Sequence, residues 1–174
     1  FSFAKVPYGT WIIREIESPK GYVLSEEEIA VTIGKVDEVV EIELVNYFIK
    51  GNIALTKVDE DYPDNKLSGA VFEVYSDTNG DGKLDKDDTL LGEMKELDGG
   101  VYQMSELRYG KYLVKETKAP TGFVLDENVY SVSVEENGKT YTVENKAGVG
   151  FINAAQKGSL KIVKTSSDGK VEGF

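Results

Sequence analysis

The chain repeats itself, and each copy carries a charged residue where an apolar one is expected. YGTWIIREIESPKGYVLSE at 8–26 returns as YGKYLVKETKAPTGFVLDE at 109–127, with Glu15 and Glu116 set inside strand-like apolar runs. Tyr8, Gly9, Glu15, Pro19, Gly21 and Leu24 recur as Tyr109, Gly110, Glu116, Pro120, Gly122 and Leu125, an offset of 101 (116 − 15). A second block recurs at an offset of 107 (153 − 46): Asn46 as Asn153, Gly51 as Gly158, and Lys57 of GNIALTK as Lys164 of GSLKIVK. The difference of 6 residues (107 − 101) falls near 136–140 and reads as a longer turn. A fixed period of this kind marks a repeat array. Residues 51–157 form one complete unit, 1–50 the C-terminal part of one before it, and 158–174 the N-terminal strand region of the next. The expectation is a slice of a longer array.

Within the complete unit, alternating and β-branched or aromatic runs dominate: IALTKV, AVFEVY, VYQMSEL, KYLVKET, YSVSVEE, KTYTVEN and VGFIN. Turn chemistry separates them at DGG, KAPTG and ENGK, the last with Asn137-Gly138, a strong hairpin signal. No segment sustains a helical stripe. Short strands spaced in this way predict an all-β fold, a Greek-key antiparallel β-sandwich of prealbumin or immunoglobulin type, in tandem repeats.

Alternation then shows which way the polar residues face. In KYLVKE, Tyr112, Val114 and Glu116 share one face, while Lys111, Leu113 and Lys115 share the other and point outward. Ile53, Leu55 and Lys57 share a face in IALTK, and so do Phe151 and Asn153 in GFIN. Three polar groups therefore project from the apolar faces of three strands. An unpaired buried charge costs several kcal/mol, so the trio must be mutually satisfied or chemically joined. Two readings follow: an ion pair of Lys57 and Glu116 capped by the Asn153 amide, or a covalent bond.

The order of Lys57 in the first strand, Glu116 in V-K-E-T-K-A-P-x-G-[FY] and Asn153 in the last strand resembles the CnaB-type, SpaA-like B domains of collagen adhesins and pilins of Gram-positive bacteria. The likeness covers the whole complete unit and, in fragments, both flanks. It implies a prealbumin-like sandwich with a self-made isopeptide bond between Lys57 and Asn153, promoted by Glu116. Glu15, Asn46 and Lys164 are then the equivalents in the truncated copies. The chemistry agrees with first principles. Desolvation favours a neutral amine and a protonated acid. A neutral Lys57 is a nucleophile, Glu116 can pass protons as ammonia leaves, and folding supplies the encounter. The flanking pieces are expected to be parts of neighbouring domains, with strand addition between chains as the lesser alternative.

A second motif lies at 76–88. SDTNGDGKLDKDD fits a twelve-residue calcium loop: Asp77, Asn79 and Asp81 at positions 1, 3 and 5, Gly82 at 6, the Lys83 carbonyl at 7, Asp85 at 9 and Asp88 at 12. Asp88 stands where a longer bidentate Glu is usual. The expected cofactor is Ca2+, stiffening the loop; the competing reading is a solvated acidic turn.

Composition removes other classes of function. Lys+Arg 20 against Asp+Glu 31 leaves a formal charge of −11, which argues against nucleic acid or an anionic membrane as partner. With Cys 0 and His 0, disulfides, thiolate or imidazole zinc sites and His-based catalysis are excluded. No apolar run approaches the ~20 residues of a spanning helix. A turnover enzyme has little support, because the one reactive constellation consumes itself. An ester cross-link through Thr56 and Gln156 is a weak rival, since Thr56 alternates away from Lys57. The expected role is a stalk or spacer module of a cell-wall-attached surface protein, extracellular, with adjacent repeats as partners. The alternative is a ligand-binding module for a host protein or glycan. Trp11, which aligns with the core-side Tyr112, counts against a glycan platform.

Overall fold

The computed structural model describes residues 2–167 and 169–170. Its elements are β1 (Gly9–Arg14), β2 (Glu28–Ile33), β3 (Lys50–Asp59), β4 (Val71–Ser76), β5 (Thr89–Glu93), β6 (Lys95–Glu96), β7 (Val101–Arg108), β8 (Gly110–Lys118), β9 (Val129–Val134), β10 (Thr140–Thr142), β11 (Phe151–Asn153), β12 (Thr165–Ser166) and β13 (Gly169–Lys170). Among the described residues there is no helix, and none is long and apolar enough to cross a membrane.

The complete unit is a two-sheet sandwich. One sheet has the order β10-β3-β7-β6 with β11 also on β3, and the other has the order β5-β4-β8-β9. All seven expected strands are present. The TLLGEMKE segment adds β5 and β6, which sequence alternation missed because Gly92, with φ 137°, interrupts the apolar pattern inside β5, where the pairing with β4 shifts register. Pairing is antiparallel throughout except at β3. There β10 and β11 both run parallel to it, with Tyr141 opposite Ile53 and Phe151 opposite Lys57. The chain leaves β9 at the edge of one sheet and crosses to the edge of the other, so it meets the first strand running the same way.

The core fills from the inward faces of both sheets: Ile53 and Leu55 from β3, Phe72 and Val74 from β4, Tyr102 from β7, Tyr112 and Val114 from β8, and Phe151 from β11. Phe72 meets Tyr102 and Phe151 edge to face, with centroids 5.1 and 5.0 Å apart. Burial of each such side chain contributes about 1.5–3 kcal/mol. Leu113, expected on the outward face of β8, is nevertheless buried, opposite Tyr75 on β4. The acidic loop folds over the same outer face, where Lys111 Nζ donates to the Gly80 carbonyl at 2.9 Å.

At the N-terminus, β1 and β2 pair in the register of β8 and β9: Gly9 with Ile33 and Arg14 with Glu28, as Gly110 with Val134 and Lys115 with Val129. No second sheet covers this hairpin among the described residues. Trp11 is accordingly 43% exposed whereas Tyr112 is 6%. The hairpin is fastened to the complete unit at its base. Tyr22 stacks on Phe48, the Arg108 guanidinium lies 3.9 Å above the Phe48 ring, and Tyr109 N donates to the Ile49 carbonyl at 2.9 Å. At the other end, Gly158–Lys164 forms no strand, and β12 and β13 make a small antiparallel pair.

Gly150 admits β11 to its place. With φ 134°, a Cβ there would stand 2.8 Å from the Thr56 carbonyl oxygen, a backbone atom that cannot swing aside. Gly150→Ala is expected to destabilise the unit by about 2 kcal/mol, seen as a lower midpoint in urea with an unchanged slope.

Candidate functional site

Three strands bring Lys57, Glu116 and Asn153 to one point. Lys57 is on the inward face of β3, two residues after Leu55, and Glu116 is on β8, two after Val114. Asn153 is on β11, two after Phe151, and the three side chains are 0%, 0% and 3% exposed. Parallel pairing sets Phe151 directly opposite Lys57, so Asn153 follows one strand repeat further on. Glu116 meets both partners. Its Oε1 lies 4.0 Å from Lys57 Nζ, and Asn153 Nδ2 donates to Oε1 and Oε2 at 3.0 and 2.9 Å. The Asp126 N–H donates to Glu116 Oε2 at 2.9 Å. Lys57 Nζ donates to the Phe151 carbonyl at 3.0 Å and faces the Phe151 ring at 5.2 Å.

The electrostatics of the site pull the two ionisable groups toward neutrality. Burial lowers the Lys57 pKa to about 8, against the opposing attraction of Glu116, Asp126 and Asp59. Burial also raises the Glu116 pKa above the ordinary carboxylate value; hydrogen bonds from Asp126 and Asn153 and the charge of Lys57 pull it back without cancelling the rise. One atom is left over: Asn153 Oδ1 is buried without a hydrogen-bond partner. Such an orphan costs about 1–3 kcal/mol. A half-turn of the amide would offer Oδ1 to a protonated Glu116, which satisfies the carbonyl and polarises its carbon.

The first copy repeats half of this arrangement. Asn46 Nδ2 donates to both Glu15 oxygens at 2.8 Å, and the Ser25 N–H donates to Glu15 Oε2 at 2.8 Å. Ser25 lies ten residues after Glu15 (25 − 15), as Asp126 does after Glu116 (126 − 116). Lys164 is exposed, in the strandless segment 158–164. Thr56 and Gln156 are not joined, as the Gln156 side chain donates to the Phe123 carbonyl.

The acidic loop is folded by its own side chains. Asp77 is buried and accepts from Gly80 N at 2.7 Å and Gly82 N at 3.1 Å, the latter at a sharp turn with φ 76°. Asn79 Oδ1 accepts from Asp81 N, Asp81 Oδ1 from Lys83 N, and Asp88 from both Thr78 N and Asp85 N. Asn79 Nδ2 donates to Asp85 Oδ2 at 3.2 Å. Among the described residues no three carboxylates are already gathered as a metal cluster.

Sequence alternation passed over a second layer behind the trio. Asp126 accepts from Tyr130 Oη at 2.6 Å and from Asn145 Nδ2 at 2.8 Å, and Asn145 also brackets the Ile152 peptide through its N–H and carbonyl. Asp126 and Asn145 lie outside the strands, where strand periodicity carries no signal. The one available clue was position: Asp126 closes the repeated motif in which Ser25 stands in the first copy.

Comparisons agree with this architecture. A family model for the SpaA prealbumin-like fold domain matches residues 1–47 and 51–149. The Bacillus anthracis TIE protein is similar at 30% identity and a TM-score of 0.70, over 86% of this chain and 26% of that one. BcpA, the major pilin subunit of Bacillus cereus, is similar at 25% identity and a TM-score of 0.48, over 77% of this chain and 35% of that one. GBS52, the minor pilin of Streptococcus agalactiae, is similar at 23% identity and a TM-score of 0.46, over 93% of this chain and 66% of that one. No curated protein matches the chain. With both of its aligned segments matched and its sandwich in place, the chain belongs to the SpaA prealbumin-like fold domain family.

Proposed function

We propose that the chain is part of the stalk of an extracellular, cell-wall-attached adhesin or pilus-like protein, each complete unit locked by an isopeptide bond between Lys57 and Asn153. The observation that carries this is the burial of an amine, a carboxyl and an amide in one apolar core, with Glu116 reaching both of the others. Neutral Lys57 Nζ attacks Asn153 Cγ; the Nζ–Cγ bond forms, the Cγ–Nδ2 bond breaks and ammonia leaves. Glu116 donates to Oδ1 as the carbonyl takes up charge, and moves a proton from Nζ to Nδ2. The core supplies the orientation that solution chemistry lacks. One turnover is the whole reaction, so the protein is a substrate of its own fold rather than an enzyme.

The bond would close a loop of 96 residues (153 − 57), worth roughly 4 to 5 kcal/mol if it constrains the unfolded chain as a disulfide of that span does. It also ties the first strand of the sandwich to the last, so tension along the array would run through a covalent link. The division into units at 1–50, 51–157 and 158–174 follows from the same reading, with Glu15–Asn46 and Lys164 serving cross-links of neighbouring units. Adjacent repeats are then the main partners.

Calcium fits the acidic loop as a secondary element of this proposal. Asp77, Asn79, Asp81, the Lys83 carbonyl, Asp85 and Asp88 offer hard oxygen donors at the alternating positions such loops use, and the turn at Gly82 gives the required bend. Bound there, the ion would stiffen the loop against the outer face of β8 and β9.

Three outcomes are expected. Intact mass under denaturing conditions will find the wild type lighter by one ammonia, while Glu116→Ala and Lys57→Ala keep it; digestion will yield a branched peptide joining Lys57 to Asn153. A wild type of full mass would exclude the bond. Calcium will raise the melting temperature of the wild type, reversibly with chelator, and will leave that of Asp77→Ala unmoved.

The third concerns pH. Folded Lys57 titrates at about 8 against 10.5 unfolded, so between those values an unreacted unfolded chain holds the extra proton and stability rises with pH. Glu116 acts in the opposite sense: its folded pKa lies above the ordinary 4.5, so stability falls as pH climbs through that window. Unreacted chain is therefore least stable between the folded Glu116 value and about 8. In the bonded chain Lys57 no longer titrates. The stability gap between wild type and Asn153→Ala, from urea melts, should narrow as pH rises from about 8 toward 10.5.

A further inference from the structure

Behind the reacting trio, Asp126 touches both halves of the site. Its backbone N–H donates to Glu116 Oε2 at 2.9 Å. Its carboxylate takes four hydrogen bonds, from Asn128 N and Nδ2 on one oxygen and from Tyr130 Oη and Asn145 Nδ2 on the other. Asn145 passes the connection on, accepting from Ile152 N at 2.6 Å and donating to the Ile152 carbonyl at 2.9 Å. Ile152 lies between Phe151, whose carbonyl holds Lys57 Nζ, and Asn153 itself. Tyr130 closes the circuit by packing edge to face on Phe151 at 5.2 Å.

We propose that Asp126 is the positioning residue of the cross-linking reaction: through Asn145 it fixes the strand bearing Asn153 at a set distance from Glu116, and through its charge it sets the pH window in which the reaction runs. This rests on the isopeptide reading above. The geometry supports the first part directly, since one residue holds the carboxyl by its main chain and the amide strand by its side chain. A one-ångström error in such a site costs as much as two orders of magnitude in rate.

The second part follows from which charges face the pair. Lys57 and Asp59 come from β3, Glu116 from β8 and Asp126 from the segment after β8; Tyr130 from β9 stays neutral, its pKa pushed up to about 12 by burial and by Asp126. Burial opposes ionisation of Asp126, but the bonds from Tyr130, Asn145 and Asn128 outweigh it and keep the group charged. A fixed negative charge there raises the pKa of both Glu116 and Lys57. Removing it must move both limbs of the reaction's pH profile toward acid.

The first copy supplies a natural contrast. Its equivalents of Asp126, Tyr130 and Asn145 are Ser25 (126 − 101), Ile29 (130 − 101) and Glu38 (145 − 107), so the Glu15–Asn46 pair forms without this brace. The brace is therefore no requirement for a Glu–Asn contact; its role lies in how closely and at what pH the amine is presented.

The test follows ammonia loss after cell-free synthesis of the full chain, quenched in denaturant and read by intact mass across a pH series. Asp126→Asn is expected to react roughly tenfold to a hundredfold more slowly, with its profile displaced toward acid. Asn145→Ala, which cuts the brace without altering charge, should be slowed with its profile unmoved. Tyr130→Phe retains the ring and serves if the others fail to fold; it too should react more slowly. Folded variants reacting at the wild-type rate would overturn the brace, and an unshifted profile in Asp126→Asn would overturn the role of charge. A wild type that keeps its ammonia would instead overturn the isopeptide reading, and the positioning role with it.

Discussion

Everything in the complete unit is arranged around the cost of burying Lys57 and Glu116. Neither charge survives in a dry interior without compensation, and the structure supplies a 4.0 Å separation between amine and carboxyl, one carbonyl for the amine, and the Asn153 amide and Asp126 N–H for the acid. A pair optimised for electrostatic stability would be closer and fully hydrogen-bonded. Here the amine is held by a neutral carbonyl, and one amide oxygen has no partner at all. Burial lowers the cost by moving both groups toward neutrality, and what remains is carried by the unreacted site. The proposed bond would remove the amine's share, because an amide would replace the amine.

The fold serves that arrangement through one of its two departures from antiparallel pairing, both of them on β3. Placing β11 parallel to β3 puts the last strand beside the first with inward faces matched, so Lys57 and Asn153 face the same core from neighbouring strands. An antiparallel last strand would have needed a different register to do this. The close approach depends on Gly150, where the chain passes the Thr56 carbonyl too tightly for any side chain. Backbone geometry and side-chain chemistry thus constrain the same few residues.

Much of this was legible in the sequence. Strand alternation identified seven strands, and the same alternation turned Lys57, Glu116 and Asn153 inward. What alternation could not convey was pairing direction, since a strand's residues point up and down identically whether its neighbour runs parallel or antiparallel. It also could not convey β5 and β6, where a glycine interrupts the run, nor the burial of Leu113, which depends on what covers the outer face. Asp126 and Asn145 escaped for a related reason. They lie outside regular strands, and their significance is a matter of three-dimensional proximity that no period encodes.

The two copies also differ in how they are supported, which bears on how an array would carry load. The first hairpin is joined to the complete unit by aromatic and cationic contacts, Phe48 being held between Tyr22 and Arg108. At the equivalent position in the complete unit the bridge is Phe123 with Ala155, where Ala155 corresponds to Phe48 (155 − 107) and offers no ring to stack upon. Cation–π and ring-stacking contacts of this kind contribute about 0.5–1.5 kcal/mol each. The stacking at Phe48 therefore has no counterpart at Ala155. The first hairpin thus owes its attachment to a ring held between Tyr22 and Arg108, a contact that Ala155 cannot reproduce on Phe123.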